Sequence, residues 1–308
     1  MTAAQARVIN PILTEVARGY KNADMIGLGL FPYARVTARG GNLIQFGKEA
    51  FKLYDTRRAP GGNVARINTS YTGVLYGIED HSISEQVPIE LMEDAAAVPG
   101  INLGSNAAMH GMDIIGLRLE KAHSDLAFNP ALYAATNKIT LAGVTQWSDP
   151  TSTPIANVET AKEAIRTQVG RRPNTFALGA SVFAQIKQHP EIVDRLKHTS
   201  RDVATPEILA MLLGVQRVLV GDAIYTNAAG VSADVWGKHA VLAYTDISGL
   251  QDATRPSYGY TYRLANYPVV EQPWYDPNTR SWVYPVHDAV SATLPGAEAG
   301  YLFINAVA

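Results

Sequence analysis

The chain has no cysteine among its 308 residues. Disulfide staples and thiolate metal sites are therefore excluded, a composition that fits a reducing cytoplasm. It also lacks a dominant charge. Lys and Arg total 26 against 28 Asp and Glu, a formal net charge of −2. Domains that hold nucleic acid by bulk electrostatics are usually clearly basic, so strong DNA affinity is not expected. No stretch approaches the roughly 18 uninterrupted apolar residues of a membrane span. The N-terminus, "MTAAQARVINPILTEV", has no basic region leading into a long apolar core, and so does not read as a signal peptide. Internal repeats and low-complexity tracts are also missing. What is present is an ordinary globular balance, 47% hydrophobic and 18% charged, in a chain long enough for two or three compact units.

Periodicity divides the chain. "NPILTEVARGYKN" opens as a helix, with Asn10 as N-cap, Pro11 at the first turn and Ile9, Leu13, Val16 and Tyr20 at helical spacing. Gly19 suits its end. "ADMIGLGLFP" is a short helical or loop segment closed by Pro32. From Tyr33 to Val87 the pattern is that of strands. A hairpin is expected to begin near Gly40-Gly41, and a charged excursion, "KEAFKLYDTRRAPGGNVAR", turns at Pro60-Gly61-Gly62. Such a two-stranded excursion is marginal in water on its own, and nothing nearby in sequence offers it a surface. Residues 103–128 form the longest helical pattern. Met112, Ile115, Leu119, Ala122 and Leu126 make its stripe, Ser105 or Asn102 its cap and Asn129-Pro130 its stop. At 1.5 Å per residue it spans about 40 Å, long for one compact domain. Residues 140–250 alternate strands and helices as an α/β unit. The remainder is mostly strand, with a turn at Asp276-Pro277-Asn278-Thr279.

The catalytic readings fail on their own requirements. "RRPNTFALGASVFAQIKQHPEIVDRLKH" is a strand, a Gly-Ala-Ser turn and a helix, the way many hydrolases display a nucleophile. That elbow needs glycine two residues either side of the serine. Gly179 is there, but position 183 is Phe. His189 and His198 follow on helices rather than on a later loop, where a base is needed. Ser181 is better read as starting a helix, its hydroxyl satisfying a free backbone N–H. The seven histidines show no metal spacing. His110 and His123 are thirteen residues apart on one helix, and His81 beside Asp80 is a lone pair in a strand. "GLGLFP" is no dinucleotide fingerprint, because Pro32 stands where a third glycine and a helix belong. Glu90, Glu93 and Asp94 read as a solvated or interface-facing acidic patch. No catalytic residue, cofactor or metal is assigned.

The segments "PILTEVARGYKNADMIGLGLFPYARV" and "FGKEAFKLYDTRRAPGG", then "RRPNTFALGASVFAQIKQHPEIVDRLKH", "TPEILAMLLGVQRVLVGDA" and "DVWGKHAVLAY", resemble successive parts of tailed-bacteriophage major capsid proteins. The resemblance is collinear and covers nearly the whole chain. It implies an α+β fold of the phage Hong Kong 97 capsid type. Residues 1–39 would be an N-terminal arm and 40–87 an extended β-hairpin loop lying across a neighbouring subunit. Residues 88–130 would be a peripheral domain with a long spine helix, 131–255 an α/β axial domain, and 256–308 the second part of the peripheral domain.

The implied function is self-assembly, as hexamers and pentamers, into an icosahedral shell around packaged double-stranded DNA. The implied location is the virion capsid, assembled in the bacterial host cytoplasm. The implied partners are the chain itself, a portal protein, a decoration protein and DNA by weak nonspecific contact, with no membrane. Met1 stands directly before the arm, so a separate scaffolding protein is expected rather than a cleaved N-terminal segment. Crosslinking of loop lysines to a neighbour's asparagine is not expected. Lys48, Lys52, Arg57 and Arg58 are assigned to contacts across the subunit boundary, with Glu90, Glu93 and Asp94 as acidic partners. An encapsulin-type compartment shell, a serine hydrolase built on Ser181 and a non-assembling tail or baseplate protein are the alternatives.

Overall fold

The computed structural model describes residues 25–45, 72–96, 102–197, 204–246 and 257–308, together with Asn10, Leu13, Thr14, Ala17 and Arg57. The Pro60-Gly61-Gly62 turn, Gly19 and His198 lie outside the described residues.

Two sheets organise these segments. The first is built on one long strand, Ser281–Thr293. Glu79–Pro88 runs antiparallel beside it, with Pro88 opposite Ser281 and Glu79 opposite Val290. Tyr260–Leu264 pairs with its far end, and Tyr33–Val36 adds parallel to that strand. Val269–Val270 and Trp274–Asp276 also pair with the long strand. The turn expected at Asp276 joins the last of these to it. Asp276 accepts from the Asn278 N–H at 3.0 Å and from the Thr279 hydroxyl at 3.1 Å.

Strand alternation gives Glu79–Pro88 a covered face and a wet one, whereas the long strand is buried on both faces over most of its length. Ile83, Glu85 and Val87 turn toward the helix Leu103–Ala127, whereas Ser82, Ser84 and Gln86 are exposed. Asn102 caps that helix, its side chain accepting from the Ser105 N–H at 3.0 Å. Close approach to the sheet depends on glycine. A Cβ on Gly111 would sit 2.9 Å from Cγ2 of Val286. The N-terminal segment seals the same cluster. Asn10 accepts from the Leu13 N–H at 3.0 Å, as its capping role requires, and Leu13 and Ala17 pack with Met112 and Ile115. The Thr14 hydroxyl donates to the Val270 carbonyl at 3.3 Å and accepts from its N–H at 3.1 Å.

The second sheet runs in the order Lys138–Thr140, Gly300–Ile304, Ala240–Ala243, Thr175–Gly179, Arg217–Gly221. Its three central strands are apolar at nearly every position because both faces are covered. Phe176, Leu178, Leu242 and Phe303 face a cluster formed with the helices Pro154–Val169, Ala180–Ile186, Pro190–Leu196 and Pro206–Leu212. Ala177, Val241, Ala243 and Leu302 face the opposite way, onto Phe31, Trp236 and Tyr258.

The hairpin begins at Gly40-Gly41 as read: the strand Gly40–Gln45 pairs with Thr72–Gly77, Gly40 opposite Gly77. Three segments differ from the sequence reading. Glu79–Pro88, read as the loop's returning limb, belongs to the first sheet. Tyr33–Val36, read as the end of the arm, is also a strand of that sheet. Gly300–Ile304, read with the peripheral part, lies inside the second sheet. "GYLFI" has no polar side to show water, and the second sheet covers both of its faces.

Candidate functional site

The buried stripe of the helix Leu103–Ala127 does not keep one direction. Met112, Ile115 and Leu119 are buried as their spacing predicts, but Ala122 and Leu126 are only half-buried. In the last turns the buried positions are Glu120, His123, Ser124 and Ala127. Here the helix, still in contact with the first sheet, also meets the cluster packed on the second, and polar side chains enter the interior.

Glu120 is 2% exposed. Its carboxylate accepts from the Ile26 N–H at 2.8 Å, from the Gly27 N–H at 3.0 and 2.9 Å, and from the Trp236 indole Nε1–H at 2.7 Å. Ile26 and Gly27 begin the short helix Gly27–Leu30, whose N-cap makes no side-chain hydrogen bond of its own. Free N–H groups at a helix start need acceptors, and a carboxylate also suits the positive end of the helix dipole. Gly27 is required at this point. A Cβ would lie 2.2 Å from Nδ1 of His123 and 2.5 Å from Oε2 of Glu120.

His123 completes the centre. The Thr261 hydroxyl donates to the Phe31 carbonyl at 2.8 Å, so it accepts from Nε2–H of His123, also at 2.8 Å. That fixes the tautomer and leaves Nδ1 without a proton and without a hydrogen-bond partner, 3.9 Å from the Glu120 carboxylate. Burial lowers the His123 pKa below its ordinary value, and the nearby Glu120 opposes this less strongly. The ring stacks on Phe31 at 4.9 Å. Ser124 donates to the Val235 carbonyl at 2.6 Å, and Arg217 of the second sheet donates to the Gly29 carbonyl. The arrangement therefore fastens three things at one point: the segment 25–31, the long helix with the first sheet, and the second sheet. Its chemistry is that of a structural lock, since the carboxylate's acceptor positions are filled by backbone and indole donors.

The residues singled out from sequence fall elsewhere. Glu90, Glu93 and Asp94 lie exposed on the helix Ile89–Ala96. Glu90 pairs within the chain, with Arg280 at 3.3 Å. Arg57 is exposed, and Lys48, Lys52 and Arg58 are outside the described residues. Asp80 pairs with Arg39 rather than with His81, which lies 3.9 Å from Glu79. His110 pairs with Glu85 at 2.7 Å. Among the described residues, no three His, Asp or Glu side chains converge as ion ligands would.

Ser181 needs a correction. It is the second residue of Ala180–Ile186, but its hydroxyl donates to the Gly237 carbonyl at 3.2 Å instead of accepting a free N–H. The carbonyl belongs to the segment that leads into the strand Ala240–Ala243. His189 is occupied as a cap: its Nδ1 accepts from the Glu191 N–H at 3.2 Å, and its Nε2 lies 3.1 Å from the Ser152 hydroxyl. Ser181→Ala should cost at most about 1 kcal/mol, the net worth of one hydrogen bond. A larger loss in urea unfolding, or labelling of Ser181 by a fluorophosphonate, would reopen the nucleophile reading.

No family model matches the chain. It is 37% identical over 304 residues to the major capsid protein of Burkholderia phage BcepMu, covering 97% of each chain. A phage-related protein from Bordetella bronchiseptica superposes with a TM-score of 0.84 at 41% identity, over 98% of both chains. The satellite phage P4 procapsid shares the fold at 10% identity, with a TM-score of 0.52 over 98% of this chain and 99% of that one.

Proposed function

The chain belongs to the phage major capsid proteins, and on that premise we propose that it closes an icosahedral shell from hexamers and pentamers around double-stranded DNA. Capsid proteins of this family assemble into multimeric shells. The observation that carries the finer reading is the hairpin Gly40–Gln45 with Thr72–Gly77, whose Leu75 is 79% exposed. A two-stranded ribbon is marginal alone, and a neighbour's surface would supply what it lacks. In this reading the loop spans 40–77 and crosses to the next subunit. The helix Leu103–Ala127 is the spine of a peripheral domain carrying the first sheet. The second sheet, with its helices, is the axial domain at the symmetry axes. Residues 1–32 are the arm.

Lys48, Lys52, Arg57 and Arg58 are proposed to contact the neighbour, with Glu93 and Asp94 as exposed acidic partners and Glu90 shared with Arg280. Exposed pairs are worth about 0–1 kcal/mol each, so repetition around the shell supplies the stability. A separate scaffolding protein, a portal, a decoration protein and assembly in the host cytoplasm belong to the same proposal. So does weak DNA contact, which the net charge of −2 supports. Arg57→Glu with Arg58→Glu should yield few or no closed particles in negative-stain electron microscopy, while the wild type gives uniform shells. Normal shells from the double variant would remove the assignment, and a monodisperse small wild-type particle would remove the assembly reading itself.

A further inference from the structure

Glu79–Pro88 is an edge strand. One side pairs with Ser281–Thr293, and among the described residues no strand pairs with the other. An open edge presents a row of unmet N–H and C=O groups, and folds usually blunt it by shortness, a bulge, a lysine or a proline within it. None of these devices is present. The strand is ten residues long, it holds no lysine, and its one proline is the last residue. Its register against Ser281–Thr293 runs from end to end without a bulge. Its carboxylates do not guard it either, since Asp80 is held by Arg39 and Glu85 by His110. Ser82, Ser84 and Gln86 stand exposed on one face, and Ile83 on the other is only half-buried.

We infer that this edge pairs with the same edge of a second copy, antiparallel across a two-fold axis. A two-fold contact is isologous, so the strand must be complementary to itself. Backbone groups face the open edge at alternate residues, so odd positions meet odd, even meet even, and the axis passes at a residue. Centred on Ser82, the pairing sets Glu79 opposite Glu85, and like charges directly opposite are destabilising. Centred on Ser84, it sets the apolar Ile83 against Glu85. Centred on Ile83, it sets Ile83 against Ile83, Ser82 against Ser84, His81 against Glu85, Asp80 against Gln86 and Glu79 against Val87. No carboxylate then faces another. The half-buried isoleucine also gains an apolar neighbour on the face that carries the helix Leu103–Ala127. The pairing continues the first sheet from one copy into the next, and it rests on the assembly reading for bringing the copies together.

The chain has no cysteine, so single thiols report the register. Ser82→Cys and Ser84→Cys are made separately in the full-length chain. Both serines are exposed, and Ser82 gives up only its contact with His287 at 2.7 Å, so both variants should fold. Opposite residues of an antiparallel pair have Cα atoms about 4.5–5.5 Å apart, within disulfide reach, whereas diagonal ones are about 7–8 Å apart. Mild oxidation of the two variants assembled together should therefore give covalent dimers about tenfold faster than either variant alone. Equal rates, or a faster rate for one variant alone, overturn the pairing about Ile83, and no dimers at all overturn the seam. Amide exchange over residues 79–87 that slows about tenfold on assembly, without crosslinks, assigns the edge to some other strand and overturns the second copy as its partner. Closed particles without crosslinks remove the seam and leave the assembly reading. Crosslinks without closed particles do the reverse.

Discussion

Glu120→Ala should cost about 3–5 kcal/mol of folding stability, because two buried donors and one half-buried donor lose their acceptor at about 1–3 kcal/mol each. The donors are the Ile26 and Gly27 N–H groups and the Trp236 indole. Glu120→Gln should fall between alanine and the wild type. One oxygen still accepts, but the amide group turns donors toward the Gly27 N–H. The measurement is urea unfolding followed by far-ultraviolet circular dichroism. If the alanine variant loses less than about 1 kcal/mol, water has replaced the carboxylate and the lock is not built as described. The consequence for assembly follows from position. Glu120 ties the segment 25–31 and Trp236 to the long helix, so on the proposed assembly reading loosening it should lower the yield of closed shells even where the protein still folds.

Part of this was legible in the sequence. The long helix, its Asn102 cap, the hairpin turn at Asp276 and the apolar strands of the second sheet were each signalled by local chemistry: spacing, caps, turn residues, alternation. Sheet membership was not. Glu79–Pro88 alternates as any half-buried strand does, and nothing within it says that its partner is 200 residues away at Ser281–Thr293. Gly300–Ile304 declared that both its faces would be covered, but not by which layers. The lock at Glu120 was missed for a related reason. A glutamate and a histidine three apart on an amphipathic helix read as the solvated side, and only the turning of the buried face brings them inside. The available signal was the weakening of the apolar stripe after Leu119. Lys48, Lys52, Arg57 and Arg58 were chosen for charge on a loop without a partner surface, and on the proposed reading that surface belongs to a neighbouring copy.

A second buried charge carries the other large expectation. Asp288 is 1% exposed and pairs with Arg263 at 2.7 Å. Arg263 also donates to the Tyr33 hydroxyl at 2.6 Å and lies over its ring at 4.1 Å, while burial, the larger effect, pushes the Tyr33 phenol up to about 12. Removing one partner of such a pair leaves an uncompensated charge, so Arg263→Ala should cost about 3–5 kcal/mol at pH 7. The pH dependence has a definite sign. Burial, the largest effect, raises the Asp288 pKa above the usual carboxylate value, and Arg263 pulls it down less strongly. A carboxyl raised in the fold binds its proton more tightly there than in the unfolded chain. Its contribution to stability is therefore full below the unfolded value and is lost as pH rises through the folded value. Without Arg263 the native carboxyl is raised further, so the gap between wild type and Arg263→Ala should be small in acid and widen toward neutrality. Asp288→Asn, which mimics the protonated form, should gain on the wild type over the same rise in pH. Urea unfolding from acid to pH 7 decides it. A gap for Arg263→Ala that stays flat, or one that narrows as pH rises, would mean that Asp288 is ionised in the fold at no cost and that solvent reaches it.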